Sequence, residues 1–131
     1  GKRLLLRVED IWHAGDQLPI VHESTTISDA LIEVTQKRLG MTTIINQSGL
    51  LQGIFTDGDI RRALNNGYDV HTTLISDVMT RNCRTIAKGT LVVEALQQME
   101  KFSITSLIVI SENKKPLGVV SLHDILKAGV V

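Results

Sequence analysis

The chain has 131 residues, 14 basic and 14 acidic side chains, and 43% hydrophobic residues. This length can bury a core without disulfides or a structural metal, and the zero net charge supplies no field that would favour a nucleic-acid backbone. A single cysteine, Cys83, excludes an intrachain disulfide or a cysteine-based zinc site, and no apolar run is long enough for a membrane span, so we expect a cytoplasmic protein with neither nucleic acid nor membrane as a partner.

The first half of the chain predicts a short leading helix and then the order strand, helix, strand, strand, helix. A set of apolar residues follows the i, i+3, i+4, i+7 spacing of a helix with one buried face. These residues are Ile27, Ala30, Leu31 and Val34. Short β-rich runs on either side of a glycine-containing turn predict the two later strands. The predicted ranges are 8–12 for the leading helix, 27–40 for the long helix, 42–46 and 52–55 for the strands, and 57–66 for the closing helix.

The second half of the chain repeats this pattern. The stretch GIFTDGDI at 53–60 returns as GVVSLHDI at 118–125, a shift of 65 residues (118 − 53). The same shift matches the four apolar residues of the first long helix to Val92, Ala95, Leu96 and Met99, which therefore have the same helical spacing. The predicted ranges are 75–79 for a second leading helix, 107–111 and 117–120 for strands, and 122–129 for a closing helix. Because the leading helices lie slightly more than 65 residues apart, we expect a small insertion in the first copy around 13–19.

Two copies of a strand, helix, strand, strand, helix unit predict an α/β (α+β) fold. Each copy is expected to form a small three-stranded sheet with helices on one face, because such a unit must bury the apolar side of its sheet. The two repeats are expected to be related by a pseudo-twofold axis. A polar, glycine-containing stretch at 67–73 marks the join between them.

Each copy ends on one motif: Gly, two apolar residues, Thr or Ser, two variable residues, and Asp. This tandem motif resembles a pair of CBS domains. The flanking stretches LLLRVEDIWHAGDQLP, GIFTDGDIRRAL, ISDVMT and HDILKAGVV resemble the C-terminal regulatory half of bacterial arabinose 5-phosphate isomerases. On this resemblance we assign residues 1–9 to a linker from a sugar isomerase domain that is absent here, residues 10–68 to CBS repeat 1 and residues 69–131 to CBS repeat 2.

The resemblance also implies a biological setting. Those isomerases interconvert ribulose 5-phosphate and arabinose 5-phosphate and feed Kdo synthesis for lipopolysaccharide or capsule. These 131 residues supply neither the sugar-phosphate loop nor the acid and base that such an isomerisation requires, so we expect this fragment not to be an enzyme. The implied protein partners are the chain's own N-terminal sugar isomerase domain and further copies of the chain, as a dimer of CBS pairs in a tetrameric parent enzyme.

The repeat separates the two carboxylates of FTDGD. Asp57 is matched by Leu122 in the second copy, whereas Thr56 and Asp59 are matched by Ser121 and Asp124. A hydroxyl and a carboxylate three residues apart at a strand-to-helix junction predict a capping box, which needs no ligand. The same junction also suits a nucleotide, because a helix N-terminus attracts phosphate and a carboxylate can accept hydrogen bonds from ribose hydroxyls.

The resemblance to CBS pairs implies ligand contacts at both junctions. The matching Thr or Ser would contact phosphate, the Asp would contact ribose, and the base would lie in the cleft between the repeats, against the backbone that enters the second strand. We add a histidine inside the second motif, which could meet a phosphate or carboxylate, and an arginine after the first, which could pair with an anionic ligand; a plain surface role is the alternative for both. The candidate residues are Thr56, Asp59, Ser121, Asp124, Met41, Thr42, Thr105, Ser106, His123 and Arg62.

Two classes of function remain open from the sequence. In the first, the module needs no cofactor and binds an effector, either a nucleotide sugar such as CMP-Kdo or an adenine nucleotide, that modulates the isomerase. In the second, the pair binds nothing and serves as an oligomerisation scaffold. Metal binding is disfavoured, because Asp57 and Asp59 are followed by two arginines and the four histidines show no paired spacing. The repeated glycines Gly53 and Gly118 predict a close approach of backbone in either class.

Overall fold

The computed structural model describes residues 5–129 as a mixed α/β chain with two compact units. One comprises residues 19–83 and is termed the continuous unit. The other combines residues up to Leu18 with residues from Arg84 onward and is termed the discontinuous unit. Within residues 5–129, no helix is long and apolar enough to cross a membrane.

The predicted order of elements is confirmed in both halves, with boundaries that differ from the predicted ones by at most three residues. The strands are β1 (His13–Ala14), β2 (Ile20–His22), β3 (Met41–Ile45), β4 (Leu51–Thr56), β5 (Thr85–Ala87), β6 (Ser106–Ile110) and β7 (Pro116–Ser121). The α-helices are α1 (Ile27–Lys37), α2 (Asp57–Asn65), α3 (Val92–Phe102) and α4 (Leu122–Lys127). The two predicted leading helices are single 3₁₀ turns at Val8–Asp10 and Ile75–Asp77.

The continuous unit contains a three-stranded sheet in the order β2-β3-β4, in which β2 runs parallel and β4 antiparallel to β3. Helix α1 follows β2 and begins at Thr26, whose hydroxyl accepts a hydrogen bond from the Asp29 amide. Glu33 on α1 ties the helix to the sheet, because its carboxylate accepts hydrogen bonds from the Ile20 amide and the Lys37 ammonium. Burial alone would raise the pKa of Glu33, but these two hydrogen bonds outweigh it and lower the pKa.

The core of each unit includes one residue from a leading 3₁₀ turn. Val8 and Ile75 are both fully buried. The core of the continuous unit contains Ile27, Ala30, Ile44, Phe55, Ala63 and Ile75. That of the discontinuous unit contains Val8, Ile86, Val92, Ala95, Leu96, Met99, Leu107, Val109, Val120 and Ile125. Six of the eight apolar residues predicted for the two long helices belong to these cores, Leu31 is half-buried and packs against one of them, and Val34 is buried on α1.

The discontinuous unit has four strands, not the predicted three, in the order β1-β7-β6-β5. The added strand β1 comes from the stretch that we interpreted as an insertion in the first copy. It pairs antiparallel with β7, with His13 opposite Val119 and Ala14 opposite Gly118. Residues 10–18, which the sequence assigned to repeat 1, therefore pack with the strands of repeat 2. Residues 69–83, assigned to repeat 2, pack in the continuous unit instead.

These two segments are termed the first leader (5–18) and the second leader (69–83), and they contact their sheets in the same way. Thr80 in the second leader exchanges two hydrogen bonds of 2.9 Å with Ile54 in β4, much as β1 pairs with β7. The repeated glycines allow both approaches. A Cβ atom at Gly53 would lie 2.5 Å from the Thr80 carbonyl oxygen, and one at Gly118 would lie 2.5 Å from the ring of Trp12. The predicted close approach at these glycines is confirmed.

Candidate functional site

The first junction, between β4 and α2, forms a complete capping box. The Thr56 hydroxyl accepts a hydrogen bond from the Asp59 amide at 3.4 Å, and the Asp59 carboxylate accepts one from the Thr56 amide at 2.9 Å. The carboxylate also accepts a hydrogen bond of 3.1 Å from the Thr56 hydroxyl. The capping interpretation of this motif is confirmed, since both terminal amides find a partner within the motif.

Asp59 also has hydrogen-bond partners outside the capping box. Its second oxygen, Oδ1, accepts hydrogen bonds from the Thr80 hydroxyl at 2.8 Å and from the Arg62 guanidinium at 2.6 Å. The Asp59 side chain is only 4% exposed, whereas that of Arg62 is 66% exposed. A buried carboxylate requires such partners, so Asp59 connects α2, β4 and the second leader.

The second junction, between β7 and α4, repeats the capping box. The Asp124 amide donates to the Ser121 hydroxyl, while Asp124 Oδ2 accepts from the Ser121 amide at 3.1 Å and from its hydroxyl at 2.6 Å. His13 of the first leader completes the site, with Nε2 at 3.0 Å from Oδ1 and 2.9 Å from Oδ2. Because an ionised carboxylate can only accept, Nε2 carries the hydrogen.

The electrostatics of Asp124 follow from these contacts. Burial alone would raise the pKa of the Asp124 carboxyl, but the hydrogen bonds from Ser121 and His13 together outweigh burial and lower the pKa. Asp124 is thus held in the ionised form that a hydrogen-bond acceptor needs. Its side chain is 15% exposed, which is more open than that of Asp59.

The sequence reasoning missed His13 and Thr80, the leader residues that bind the two carboxylates. Each lies five residues after the first residue of its leading 3₁₀ turn (8 + 5 and 75 + 5). Aligning the two leaders at that offset, instead of at the 65-residue shift of the strands, would have paired these residues. Residue type alone could not have matched these two positions, because His13 carries an imidazole and Thr80 a hydroxyl.

The backbone predicted to face the base lies beside each junction, but its exposure differs between the copies. Met41 is paired with Thr56 across β3 and β4, and both Met41 and Thr42 are buried, with at most 1% exposure. Ser106 is paired with Ser121 in the same way, yet it is only half-buried and Thr105 is exposed. The second junction is therefore the more open of the two.

The remaining predicted residues lie at the surface. His123, on the first turn of α4, is exposed, and Arg62 uses its exposed guanidinium to pair with Asp59. Asp57, which has no acidic counterpart, donates its amide to the Gly40 carbonyl at 3.2 Å, and its carboxylate packs beside the same glycine. Among residues 5–129, no group of three or more His, Cys, Asp or Glu side chains could hold a metal ion.

A matched cavity flanks each junction aspartate. The one in the continuous unit has a volume of about 210 Å³ and is lined by Asp59, Arg62, Ala63, Asn66, Tyr68, Asp77 and Val78. The one in the discontinuous unit has the same volume and is lined by Ile11, Asp124, Lys127 and Ala128. In both units the cavity is thus lined by residues of the closing helix and of the leader.

The family of the chain follows from a sequence comparison. The profile of the CBS domain matches residues 8–66 and again residues 75–131. The chain belongs to the CBS domain family. The resemblance noted for the tandem motif is thereby confirmed, and each junction can be described as part of one CBS repeat.

Relatives of this CBS pair include two bacterial enzymes. The chain is 47% identical to arabinose 5-phosphate isomerase KdsD of Pseudomonas aeruginosa and 48% identical to that of Escherichia coli K12, over all 131 residues. It spans about 40% of the length of each of these relatives.

Solved structures share the fold. A conserved protein of Pyrococcus horikoshii is 27% identical, with a TM-score of 0.82 over 96% of this chain and 93% of that one. The CBS domain pair of protein MJ0100, in complex with 5′-methylthioadenosine and S-adenosyl-L-methionine, is 25% identical, with a TM-score of 0.83 over 94% of each chain.

Proposed function

We propose that this CBS pair is the regulatory module of an arabinose 5-phosphate isomerase and binds a ribose-containing effector at the junction of Ser121 and Asp124. The observation that carries the proposal is the difference in access between the junctions. Asp124 is 15% exposed, and Ser106, which pairs with Ser121, is half-buried, whereas Asp59 is 4% exposed and Met41, which pairs with Thr56, is buried.

Charge favours the same junction. Asp57 places a carboxylate on the first residue of α2, where it offsets the positive end of the helix dipole and repels an incoming phosphate. Leu122 occupies the corresponding position of α4 and carries no charge. An anionic effector therefore meets the Asp57 carboxylate at the first junction, where the Arg62 guanidinium is already paired with Asp59, and an uncharged residue at the matching position of the second. We assign Thr56 and Asp59 mainly to capping.

The ribose is the group that the candidate effectors share. CMP-Kdo and adenine nucleotides carry it, and so do the two adenosine derivatives bound to the CBS pair of MJ0100. A lowered pKa keeps Asp124 ionised, so its oxygens can accept hydrogen bonds from a pair of ribose hydroxyls. Thr105, Ser106 and His123 are the accessible groups around it for the base and phosphate.

The setting is proposed from the KdsD relatives. The parent protein is a cytoplasmic, oligomeric enzyme in which a sugar isomerase domain forms arabinose 5-phosphate for Kdo and lipopolysaccharide. CMP-Kdo is then a feedback effector, and an adenine nucleotide is the alternative. Either acts by binding two packing states of the module with different affinity.

Calorimetric titration of the chain tests the proposal. We expect CMP-Kdo or AMP to bind, and we expect Asp124→Asn to weaken binding about tenfold or more, since a charged hydrogen-bond acceptor is lost. The matched variant Asp59→Asn should change affinity less than about twofold. The dideoxy form of the bound nucleotide should bind as weakly as Asp124→Asn binds the ribose form. Absence of binding by CMP-Kdo, CMP, AMP and ATP would favour a ligand-free oligomerisation scaffold.

A further inference from the structure

The carboxylate that we assign to the ribose is already occupied. Asp124 Oδ2 accepts two hydrogen bonds from Ser121, and His13 Nε2 lies within 3.0 Å of both carboxylate oxygens. The Ser121 contacts belong to the cap of α4 and stay with the helix. A pair of ribose hydroxyls that reaches Asp124 must therefore take the place of the His13 imidazole.

His13 does not move alone, because it belongs to β1. Its backbone pairs with Val119 in β7, and the indole of the preceding residue, Trp12, covers the Gly118 backbone. Further along the first leader, Arg7 donates to the Gly89 carbonyl and the Glu9 carboxylate accepts from the Gly89 amide at 2.9 Å. The first leader is also held by the buried Val8 and by backbone hydrogen bonds from Val8 to Thr90 and from Val92 to Leu6. The His13–Asp124 contact is the one that ties its β1 end to the junction carboxylate.

We infer that a ribose-bearing effector and the first leader compete for Asp124, so that binding releases His13 and loosens β1 from the edge of β7. The inference rests on the proposed function and adds its regulatory step. The coupling is reciprocal. The factor by which docked His13 weakens binding of the effector equals the factor by which bound effector weakens docking of the leader. Effector binding at Asp124 thereby changes the docking of the first leader, part of which we assigned to the linker of the isomerase domain.

The first junction supplies an internal contrast. There the leader residue is Thr80, a second donor from Arg62 also binds Asp59, and the carboxylate is almost completely buried. Loss of Thr80 would leave Asp59 paired with Arg62, Thr56 and the α2 cap. Competition is accordingly expected at Asp124 and not at Asp59.

The test combines calorimetry with the fluorescence of Trp12, the only tryptophan in the chain. AMP and CMP are titrated into the unmodified chain, His13→Ala, His13→Gln and the control His71→Ala, whose histidine is exposed in the second leader. We expect His13→Ala to bind the nucleotide about threefold to tenfold more tightly, because one competing hydrogen bond to a charged group is removed. His13→Gln keeps an N–H donor, so its affinity for the nucleotide should lie between those of His13→Ala and the unmodified chain. His71→Ala should leave the affinity unchanged.

Fluorescence reports the leader directly. Saturating AMP or CMP should shift Trp12 emission to the red and increase its quenching by iodide in the unmodified chain. In His13→Ala the emission should already be shifted without nucleotide. Binding that is seen only after His13→Ala would also support the competition.

Two outcomes overturn the inference. If nucleotide binds with equal affinity to the unmodified chain and to His13→Ala, and Trp12 emission does not change, the competition is wrong while the sensor function stands. If neither AMP nor CMP binds any variant, competition between these nucleotides and the first leader is rejected, while the titration with CMP-Kdo described above decides the proposed function separately.

Discussion

Gly118 lies directly against the indole of Trp12, so that a Cβ atom at Gly118 would come within 2.5 Å of Cε3 and 2.8 Å of Cδ2. In the other unit a Cβ at Gly53 would come within 2.5 Å of the Thr80 carbonyl oxygen. The two glycines are equivalent in the repeat, and in each unit the leader occupies the space that a side chain would fill. The first leader thereby adds strand β1 to its sheet, whereas the second leader forms a single β-bridge to β4.

Alanine at these glycines should therefore destabilise the protein. We expect Gly53→Ala to cost about 2–3 kcal/mol of unfolding free energy, because the obstructing atom is a backbone carbonyl in a two-hydrogen-bond bridge. Gly118→Ala should cost less, about 1–2 kcal/mol, since the Trp12 side chain can shift. Urea unfolding followed by circular dichroism measures both.

Gly58 is the matched control for these substitutions. It lies in the first turn of α2, its φ is not positive, and a Cβ there would meet the Arg62 guanidinium at 3.4 Å and the Thr56 hydroxyl oxygen at 3.7 Å, which are ordinary contact distances. Gly58→Ala should be neutral or stabilising by up to about 1 kcal/mol, because alanine favours helix. A Gly53→Ala variant as stable as Gly58→Ala would contradict the packing described for the second leader.

The partners of Asp59 should contribute unequally. Arg62 is 66% exposed, so Arg62→Ala should cost only a few tenths of a kcal/mol, about the value of a surface ion pair. Thr80→Val removes a 2.8 Å hydrogen bond to a buried carboxylate while nearly keeping the side-chain shape, and should cost about 1 kcal/mol. Chemical unfolding of both variants measures the difference, and equal or reversed costs would contradict the assigned order.

A capping box should contribute more to the free energy of unfolding than a cap with a single hydrogen bond. Among the described residues 5–129, the Thr26 hydroxyl only accepts a hydrogen bond from the Asp29 amide, so Thr26→Ala should cost about 0.5–1 kcal/mol. Thr56→Ala should cost about 1–2 kcal/mol, because the hydroxyl both covers the Asp59 amide and donates to the Asp59 carboxylate. The comparison is made by thermal and urea unfolding at neutral pH. A Thr56→Ala cost below that of Thr26→Ala would argue against the reciprocal motif.

Acid should remove part of the stability through Asp124 and Glu33, whose pKa values are both lowered in the native state. Unfolded carboxyls titrate near pH 4, so near that pH the unfolded chain binds more protons and stability rises with pH. The contribution is full above about pH 5 and is lost as the pH falls through the lowered native pKa.

Asp124→Asn isolates one of these groups. Its destabilisation relative to the unmodified chain should be largest at neutral pH and should shrink as the pH falls below about 4. Urea midpoints measured at several pH values check this, and Glu33→Gln provides a second, independent case in the other unit. A cost of Asp124→Asn that does not change with pH would mean that the native carboxyl titrates at its ordinary pKa.

Local chemistry explains why most elements could be predicted. The apolar spacing of α1 and α3 and the Thr/Ser–Asp motifs at the start of α2 and α4 depend on contacts within a few residues, so they can be recognised from sequence. The short strand β1 could not, because two residues carry no periodicity and their partner, β7, lies more than 100 residues away.

The candidate site was predicted in part for the same reason. Both capping boxes lie within four consecutive residues and repeat in the sequence. The donors on the far side of each carboxylate, His13 and Thr80, are 111 and 21 residues away from it, and nothing in their chemistry marks them as equivalent. The difference in exposure between the junctions likewise depends on long-range packing.

By itself, the sequence determined the repeat, the order of helices and strands, and the hydroxyl–carboxylate caps, because short-range hydrogen bonds and helical periodicity specify them. Only the tertiary structure decided which strands each leader joins and which further residues donate hydrogen bonds to Asp59 and Asp124. Those choices depend on edge-strand pairing and on the space left by Gly53 and Gly118, and both are properties of segments that meet only when the chain is folded.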